Sequence, residues 1–444
     1  MNQQLGSARG SAAPAVSEQG AQDTQAESAE LTASAESNAL SKPARSAKPR
    51  NIRVEALRLV AILGISVFHV FTPWFFGITH PLPAGLAPGL PVDSSALTAL
   101  ANTPWALWLL SFLALLGALG NHVFYMISAL YLVPSIARQV GTQGYWRRQF
   151  RAAARRCLAV FAALALYALI FMAINHFVVE VPGAGSLWWL SSNLEFIWLY
   201  ALFMLLAPIW AWLLRSVGGK TWARAAFCLI VIAVYTLNFY IAFVAQGDAS
   251  QRGLLDWRKQ MSALTYLVSF ALAGALSWRI AQHQVLAAGK SSALSSSRLW
   301  GWALVLLLLA TLAITGMLAM SGNRAGLYNL SFKSTSLLSF LLALSATFWC
   351  SIRPQFLQTA SPGFTSRAVQ ALASGILGFY IVQALAYGLW DPFCARLLAQ
   401  VLASGSLLAF IAAGVAFACS FALIVAVIDR WFRQPLLRLV GLSK

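Results

Sequence analysis

The residues of this sequence best suited to chemistry are Glu55, Arg58 and His69, which lie in an otherwise apolar stretch that begins at Asn51. A helix turns by about 100° per residue, so Arg58 and His69 should lie within about 20° of the same face. Their separation along the helix axis should be about 16 Å. Glu55 precedes Arg58 by three residues and can form an ion pair with it across one turn. We therefore expect Arg58 near one membrane surface and His69 about halfway through the bilayer.

Ionisable side chains inside a membrane helix are costly and often mark a functional site. A histidine that is neutral near pH 7 can accept a proton, so His69 is a candidate general base. Arg58, held by Glu55, is a candidate for orienting a substrate or for neutralising developing negative charge. The alternative is structural: the Arg58 charge would extend to the lipid headgroups, and His69 would hydrogen-bond to a neighbouring helix.

A second candidate site is a cluster of arginines that precedes the third apolar run. Its members are Arg147, Arg148, Arg151, Arg155 and Arg156. The spacing of Arg148, Arg151 and Arg155 places them on one helical face. Guanidinium groups bind phosphate oxygens in a bidentate way, so Arg147, Arg148 and Arg151 are candidates for binding the phosphates of a nucleotide-like cofactor such as coenzyme A. The alternative is that the cluster only sets the membrane topology and contacts lipid headgroups.

Polar side chains also occur in the second apolar run, at Asn121, His122 and Ser128. For such residues we expect mainly hydrogen bonds between helices. The sequence contains no glycine-rich phosphate loop and no cysteine–histidine pair with metal-ligand spacing. No bound metal is therefore expected.

The composition indicates an all-α, polytopic membrane protein. Of the 444 residues, 59% are hydrophobic and 10% are charged, and the mean hydropathy is +0.70, whereas soluble proteins have about 25% charged residues. Apolar runs of about 18 or more residues recur along the chain, as membrane-spanning helices require. The net charge of +18 does not predict nucleic-acid binding, because the basic residues are spread over short loops between apolar runs.

The chain divides into a tail, residues 1–50, and a membrane domain, residues 51–444. The tail is rich in Ala, Ser, Gln and Glu and contains no aromatic residue, which predicts a disordered cytoplasmic segment. The membrane domain has ten predicted spans. They are 57–77, 105–133, 157–178, 196–214, 224–245, 261–280, 299–319, 335–352, 371–390 and 406–428.

The distribution of positive charge predicts the orientation of these spans. Successive segments between the spans lie on alternate sides of the membrane, and most of the 31 Lys and Arg residues fall in the segments on one side. On the other side, the loops 78–104 and 179–195 contain none. Basic loops remain on the cytoplasmic side of a membrane. We therefore expect both termini inside the cell.

The stretch VEALRLVAILGISVFH, residues 54–69, resembles the first-helix signature of the acyltransferase-3 family of bacterial membrane acyltransferases. Glu55, Arg58 and His69 stand at the acidic, arginine and histidine positions of that signature. NHVFYMISALYL, residues 121–132, is similar to the motif of the family's second span, with Ala129 where glycine is usual.

Three later stretches are also similar to motifs of this family. Arg148-Gln-Phe-Arg151 is similar to its basic motif, and FIWLYALFMLLAP, residues 196–208, resembles a helix that ends in proline. SGILGFYIVQALAYGLW, residues 374–390, is similar to a late helix in which histidine is common at the position of Gln383. We assign no role to Gln383.

The resemblance implies an O-acyltransferase of a bacterial cytoplasmic membrane. It would move an acyl group, commonly acetyl, from cytoplasmic acyl-CoA to a hydroxyl of a cell-surface glycan or a lipid-linked sugar. The other hypothesis is a transporter or flippase for a glycan or glycolipid, in which the interior charges line a substrate path. The discontinuous helices and inverted repeats of many transporters are not evident in the sequence.

Overall fold

The computed structural model describes residues 51–79, 90–92, 94–191, 194–245, 252–286, 291–331, 335–352, 363–439 and 441. The predicted tail, residues 1–50, lies outside these described residues. The described helices belong to one compact unit, Arg50–Lys444. They are α1 Ile52–Thr79, α2 Ser94–Ala101, α3 Pro104–Ala137, α4 Tyr145–Phe177, α5 Leu187–Ser191, α6 Glu195–Ser216, α7 Thr221–Phe239, α8 Arg252–Leu286, α9 Ser291–Met320, α10 Arg324–Ser331, α11 Leu337–Ser351, α12 Phe364–Ala373, α13 Ile376–Leu385, α14 Tyr387–Ala403, α15 Leu407–Trp431 and α16 Arg433–Leu439.

Eight segments of these helices are long and apolar enough to cross a membrane, so the prediction of an all-α polytopic membrane protein is confirmed. The described residues contain no β-strand. The eight segments are Ile52–Thr79, Pro104–Ala137, Tyr145–Phe177, Glu195–Ser216, Thr221–Val244, Gln260–Gln282, Ser297–Met320 and Leu407–Leu437.

The structure differs from the ten predicted spans in two places. The predicted eighth span, 335–352, contains α11, which has only 15 residues and is therefore about 22 Å long, against a hydrocarbon core of about 30 Å. The predicted ninth span, 371–390, is broken: α12 and α13 meet at an angle of 45°. If the bent pair counts as one span, the described residues contain nine spans. The sequence shows apolar composition at both places, but it does not show helix length or bending.

Helix α1 contacts helices from the early, middle and late parts of the chain, among them α3, α11, α12 and α15. Its residues are mostly Leu, Ile, Val, Ala and Phe, and Glu55 in the first turn suits the positive end of the helix dipole. The helix continues past Pro73. It therefore carries Glu55, Arg58 and His69 on one rigid element.

Glycines of α3 allow α1 to approach it closely. A Cβ atom on Gly120 would lie 2.6 Å from the backbone oxygen of Ala61, and one on Gly117 would lie 2.3 Å from the ring of Phe68. Small residues at helix interfaces in membranes permit this kind of backbone approach. The close packing fixes the position of the α1 segment that contains His69.

We expect Gly120→Ala to destabilise the protein by about 1–3 kcal/mol, because the added methyl group meets a backbone atom that cannot move aside. The midpoint of thermal unfolding in detergent, followed by tryptophan fluorescence, measures this effect. The matched control is Gly316→Ala, where the new Cβ would lie 3.5 Å from the nearest atom, a side-chain nitrogen of Trp108. Equal midpoints for the two variants would show that the α1–α3 contact tolerates the methyl group.

Helices α7 and α9 present apolar side chains outward. Leu229, Ile230 and Ile232 of α7 and Leu306 and Leu309 of α9 are all exposed. An apolar surface of this extent on membrane-spanning helices is stabilised by contact with lipid. These two helices therefore form part of the lipid-facing surface of the protein.

Candidate functional site

The predicted ion pair between Glu55 and Arg58 is confirmed. The Nη1 atom of Arg58 lies 3.0 Å from each carboxylate oxygen of Glu55. The side chain of Glu55 is 5% exposed and that of Arg58 is 27% exposed, so the buried carboxylate is compensated by a charge that remains partly accessible. The guanidinium carbon of Arg58 also lies 5.9 Å from the centre of the Tyr131 ring.

His69 lies further along α1 than this ion pair. The eleven-residue interval in an unbroken helix corresponds to about 16 Å. Its ring is partly buried and packs edge-on against Phe68, with 5.0 Å between the ring centres. None of the hydrogen bonds between described residues involves His69. The structure therefore brings Glu55 and Arg58 together but places His69 apart from them.

Aromatic packing against α15 fixes the helix around His69. Phe71 and Trp74 both pack edge-on against Phe410, at 5.6 Å and 4.9 Å between ring centres. A Cβ atom on Gly414 would lie 2.2 Å from the Phe71 ring. These contacts hold the segment next to His69 between α3 and α15.

The three predicted phosphate ligands, Arg147, Arg148 and Arg151, lie together in a groove of about 530 Å³ at the start of α4. The other lining residues are Gly144, Ala152 and Arg155. All four arginines are exposed. Arg148 donates a hydrogen bond to the hydroxyl of Thr142 at 2.6 Å.

The start of α4 is anchored to its neighbours, although its first backbone N–H groups have no side-chain cap. The hydroxyl of Tyr145 donates to the backbone oxygen of Pro208 at 2.8 Å, and the amide of Gln149 donates to Gln139 at 2.8 Å. Gly144 takes a φ of 68°, which lets the chain turn into the helix. The groove is therefore built on a fixed helix end.

The electrostatics of this helix end favour an anion. The N-terminus of a helix carries a partial positive charge, so arginines in its first turns repel it. A bound phosphate would interact favourably with both the arginines and the free N–H groups. The groove therefore suits a phosphate-bearing ligand better than any uncharged one.

Tyr200 of α6 packs against the second predicted span. Its ring lies edge-on against Phe124 of α3, with 4.9 Å between ring centres. Helix α6 therefore lies beside α3.

Asn121 and His122 of the second apolar run connect helices, as predicted. The hydroxyl of Ser128 instead donates to the backbone oxygen of Phe124 within the same helix, at 2.9 Å. Asn121 donates to the hydroxyl of Tyr266 on α8 at 2.9 Å and accepts from Tyr380 on α13 at 3.2 Å. Nδ1 of the fully buried His122 lies 2.7 Å from the hydroxyl oxygen of Ser269 on α8. These bonds join α3, α8 and α13.

A buried cluster around Asp429 was not among the sites predicted from the sequence. Asp429 is fully buried and accepts hydrogen bonds from Arg433 and from the hydroxyl of Tyr167, the latter at 2.8 Å. A Cβ atom on Gly378 of α13 would overlap the Asp429 carboxylate. The signal was an aspartate at the end of an apolar run with an arginine four residues later, a spacing that permits an ion pair on one helical face.

Metal-ligating residues are not clustered in the part of the chain that the structure describes. No group of three or more His, Cys, Asp or Glu side chains there could hold a metal ion. The cysteines Cys157, Cys350 and Cys394 are buried and have free thiols. Packing in the apolar core accounts for these three side chains.

The chain was compared with protein-family models, with curated protein sequences and with solved structures. The function is inferred from residues and geometry, because none of the three comparisons found a match.

Proposed function

We propose that this chain is an O-acyltransferase of the bacterial cytoplasmic membrane. It moves an acyl group, commonly acetyl, from cytoplasmic acyl-CoA to a hydroxyl of a cell-surface glycan or a lipid-linked sugar. The observation that supports this proposal most is the groove of Arg147, Arg148 and Arg151 at an uncapped helix N-terminus. The resemblance of residues 54–69 to the acyltransferase-3 signature supports the same function.

In this proposal His69 accepts the proton of the acceptor hydroxyl as its oxygen attacks the thioester carbonyl. The tetrahedral intermediate then breaks the carbon–sulfur bond, and the departing thiolate takes the proton back from His69. The new ester remains on the acceptor, and coenzyme A leaves as the thiol. No metal is required for this sequence of steps.

The separation of about 16 Å along α1 favours different roles for Arg58 and His69. If His69 takes the proton, Arg58 acts on a part of the donor away from the reacting carbonyl. Glu55 holds the guanidinium in place through the 3.0 Å contacts. Coenzyme A suits this layout, because a long, thin pantetheine arm separates its phosphates from its thioester.

We predict that the double variant Arg148→Lys with Arg151→Lys inserts normally but has a KM for acetyl-CoA at least about ten-fold higher. Lysine retains the charge but loses the bidentate fork, and a hydrogen bond to a charged group contributes about 1.5–3 kcal/mol. Steady-state release of coenzyme A by the purified protein measures the KM. The matched control is Arg215→Lys, at an exposed arginine outside the groove. An unchanged KM would show that the arginine cluster only sets the membrane topology.

The transporter hypothesis is favoured by one observation, the 45° bend between α12 and α13. Discontinuous helices hold substrates in many transporters. Purified protein in liposomes separates the two functions. Release of coenzyme A from acetyl-CoA that depends on an acceptor supports acyl transfer, whereas movement of a lipid-linked sugar without acetyl-CoA supports transport.

A further inference from the structure

Helix α7 carries two buried polar side chains that stand apart from its lipid-facing surface. Tyr235 is 8% exposed and Asn238 is 4% exposed, whereas the neighbouring Leu237 and Phe239 are 44% and 61% exposed. Tyr235 and Asn238 are three residues apart and therefore share one face of the helix. This face points into the bundle.

The polar atoms of these two side chains have no hydrogen-bond partner within the described residues. This holds for both amide atoms of Asn238, Nδ2 and Oδ1. The hydroxyl of Tyr235 interacts with the Ser269 side chain but does not meet the geometry of a hydrogen bond. Buried polar groups are almost always hydrogen-bonded, and the hydrocarbon region supplies no bulk water to replace a missing partner. An amide whose donor and acceptor are both unpaired therefore pairs with a bound molecule, which is either a ligand or trapped water.

The backbone next to Asn238 has an unusual form. Tyr240–Val244 forms a π-helical turn at the end of the span, closed by a hydrogen bond from the Ala245 amide to the Tyr240 oxygen at 2.8 Å. Short π-helical turns often occur at functional sites. The turn contacts α10, in which the buried hydroxyl oxygen of Ser331 also lacks a partner within the described residues.

We propose that Asn238 and Tyr235 form a binding site for an uncharged, hydroxyl-bearing head of a membrane amphiphile. A hydroxyl both donates and accepts, so it matches the two unpaired atoms of the Asn238 amide. The side chains of this site are an amide, a phenol and aromatic rings, and the centre of the Phe340 ring lies 4.7 Å from that of Tyr235. A charged head would lack a counter-charge among them. Leu237 and Phe239 are exposed on another face of α7, so only the width of this one helix separates the site from lipid. This inference does not depend on acyl transfer.

The test uses a dodecyl glucoside with a photoactivatable diazirine as the probe, added to the protein in phosphatidylcholine nanodiscs. Mass spectrometry locates the labelled peptides. We expect labelling around residues 235–244, and we expect no labelling there by a diazirine probe with the same alkyl chain and a phosphocholine head. Asn238→Leu should reduce labelling by the glucoside at least about five-fold, because it removes a donor and an acceptor together. The matched control is Thr236→Val on the exposed face of α7, which should label normally.

Three results would overturn the proposal. The first is equal labelling by the two probes, and the second is unchanged labelling of the Asn238→Leu protein. The third is that the wild type is not labelled while Asn238→Leu has a higher unfolding temperature than the wild type. The last result means that trapped water alone pairs with these groups. If Asn238→Leu does not insert into the membrane, Tyr235→Phe replaces it as the test variant, because that change removes only one oxygen atom. It should reduce labelling about two- to five-fold, and normal labelling would overturn the proposal.

Discussion

His69→Ala is expected to lower acyl transfer by about 10²- to 10⁴-fold, because that is the usual contribution of a positioned general base. The change should leave the fold intact, since no hydrogen bond between described residues involves His69. Mass spectrometry of surface glycans from cells that carry the variant measures acylation. Release of coenzyme A by the purified protein measures the same step without the cell.

The matched control for this experiment is His176→Ala. His176 is exposed at the end of α4, so the change removes an imidazole without affecting α1. It should leave both activity and unfolding temperature unchanged. Acylation by the His69→Ala protein at normal protein level would show that His69 is not the base.

Features that depend on local spacing could be predicted from the sequence. The Glu55–Arg58 pair depends only on a spacing of three residues within one helix. The groove of Arg147, Arg148 and Arg151 depends only on the first turns of α4. The apolar runs predicted the long helices, because about 20 apolar residues in a row have few other stable states. These features do not depend on which other helix lies alongside.

Features that depend on distant neighbours could not be predicted. The kind of interaction made by Asn121 was foreseen, but its partners Tyr266 and Tyr380 come from helices far along the chain. The break between α12 and α13 likewise has its neighbours in the last helices. A Cβ atom on Gly375 would lie 2.7 Å from the Ala426 oxygen. Sequence spacing alone contains no information about such approaches.

The region around Asp429 joins this break to the end of the bundle. The side-chain amide of Gln434 donates to the hydroxyl of Ser374 at 2.8 Å, at the junction of α12 and α13. The Asp429 carboxylate fits beside Gly378, where any larger side chain would overlap it. The ion pair of Asp429 with Arg433 therefore lies against the bent pair of helices α12 and α13.

The second large effect is expected from breaking this ion pair. Asp429→Asn should lower the free energy of unfolding by about 3–5 kcal/mol, because it leaves the buried Arg433 without a compensating charge. Arg433→Met should have a similar effect, since it leaves the Asp429 carboxylate unpaired except for the hydroxyl of Tyr167. The midpoint of thermal unfolding in detergent measures both changes.

The double variant, Asp429→Asn with Arg433→Met, distinguishes charge compensation from packing. Removing both members of a buried ion pair is often close to neutral, because neither charge then remains buried alone. We therefore expect the double variant to be more stable than either single variant. The matched control is Arg430→Met, at an exposed arginine next to Asp429, which should leave the unfolding midpoint unchanged. The opposite result is that the double variant loses as much unfolding free energy as the two single variants together. The carboxylate and the guanidinium would then act independently, and the α13–α15 contact would depend on the shape of Asp429 and not on its charge.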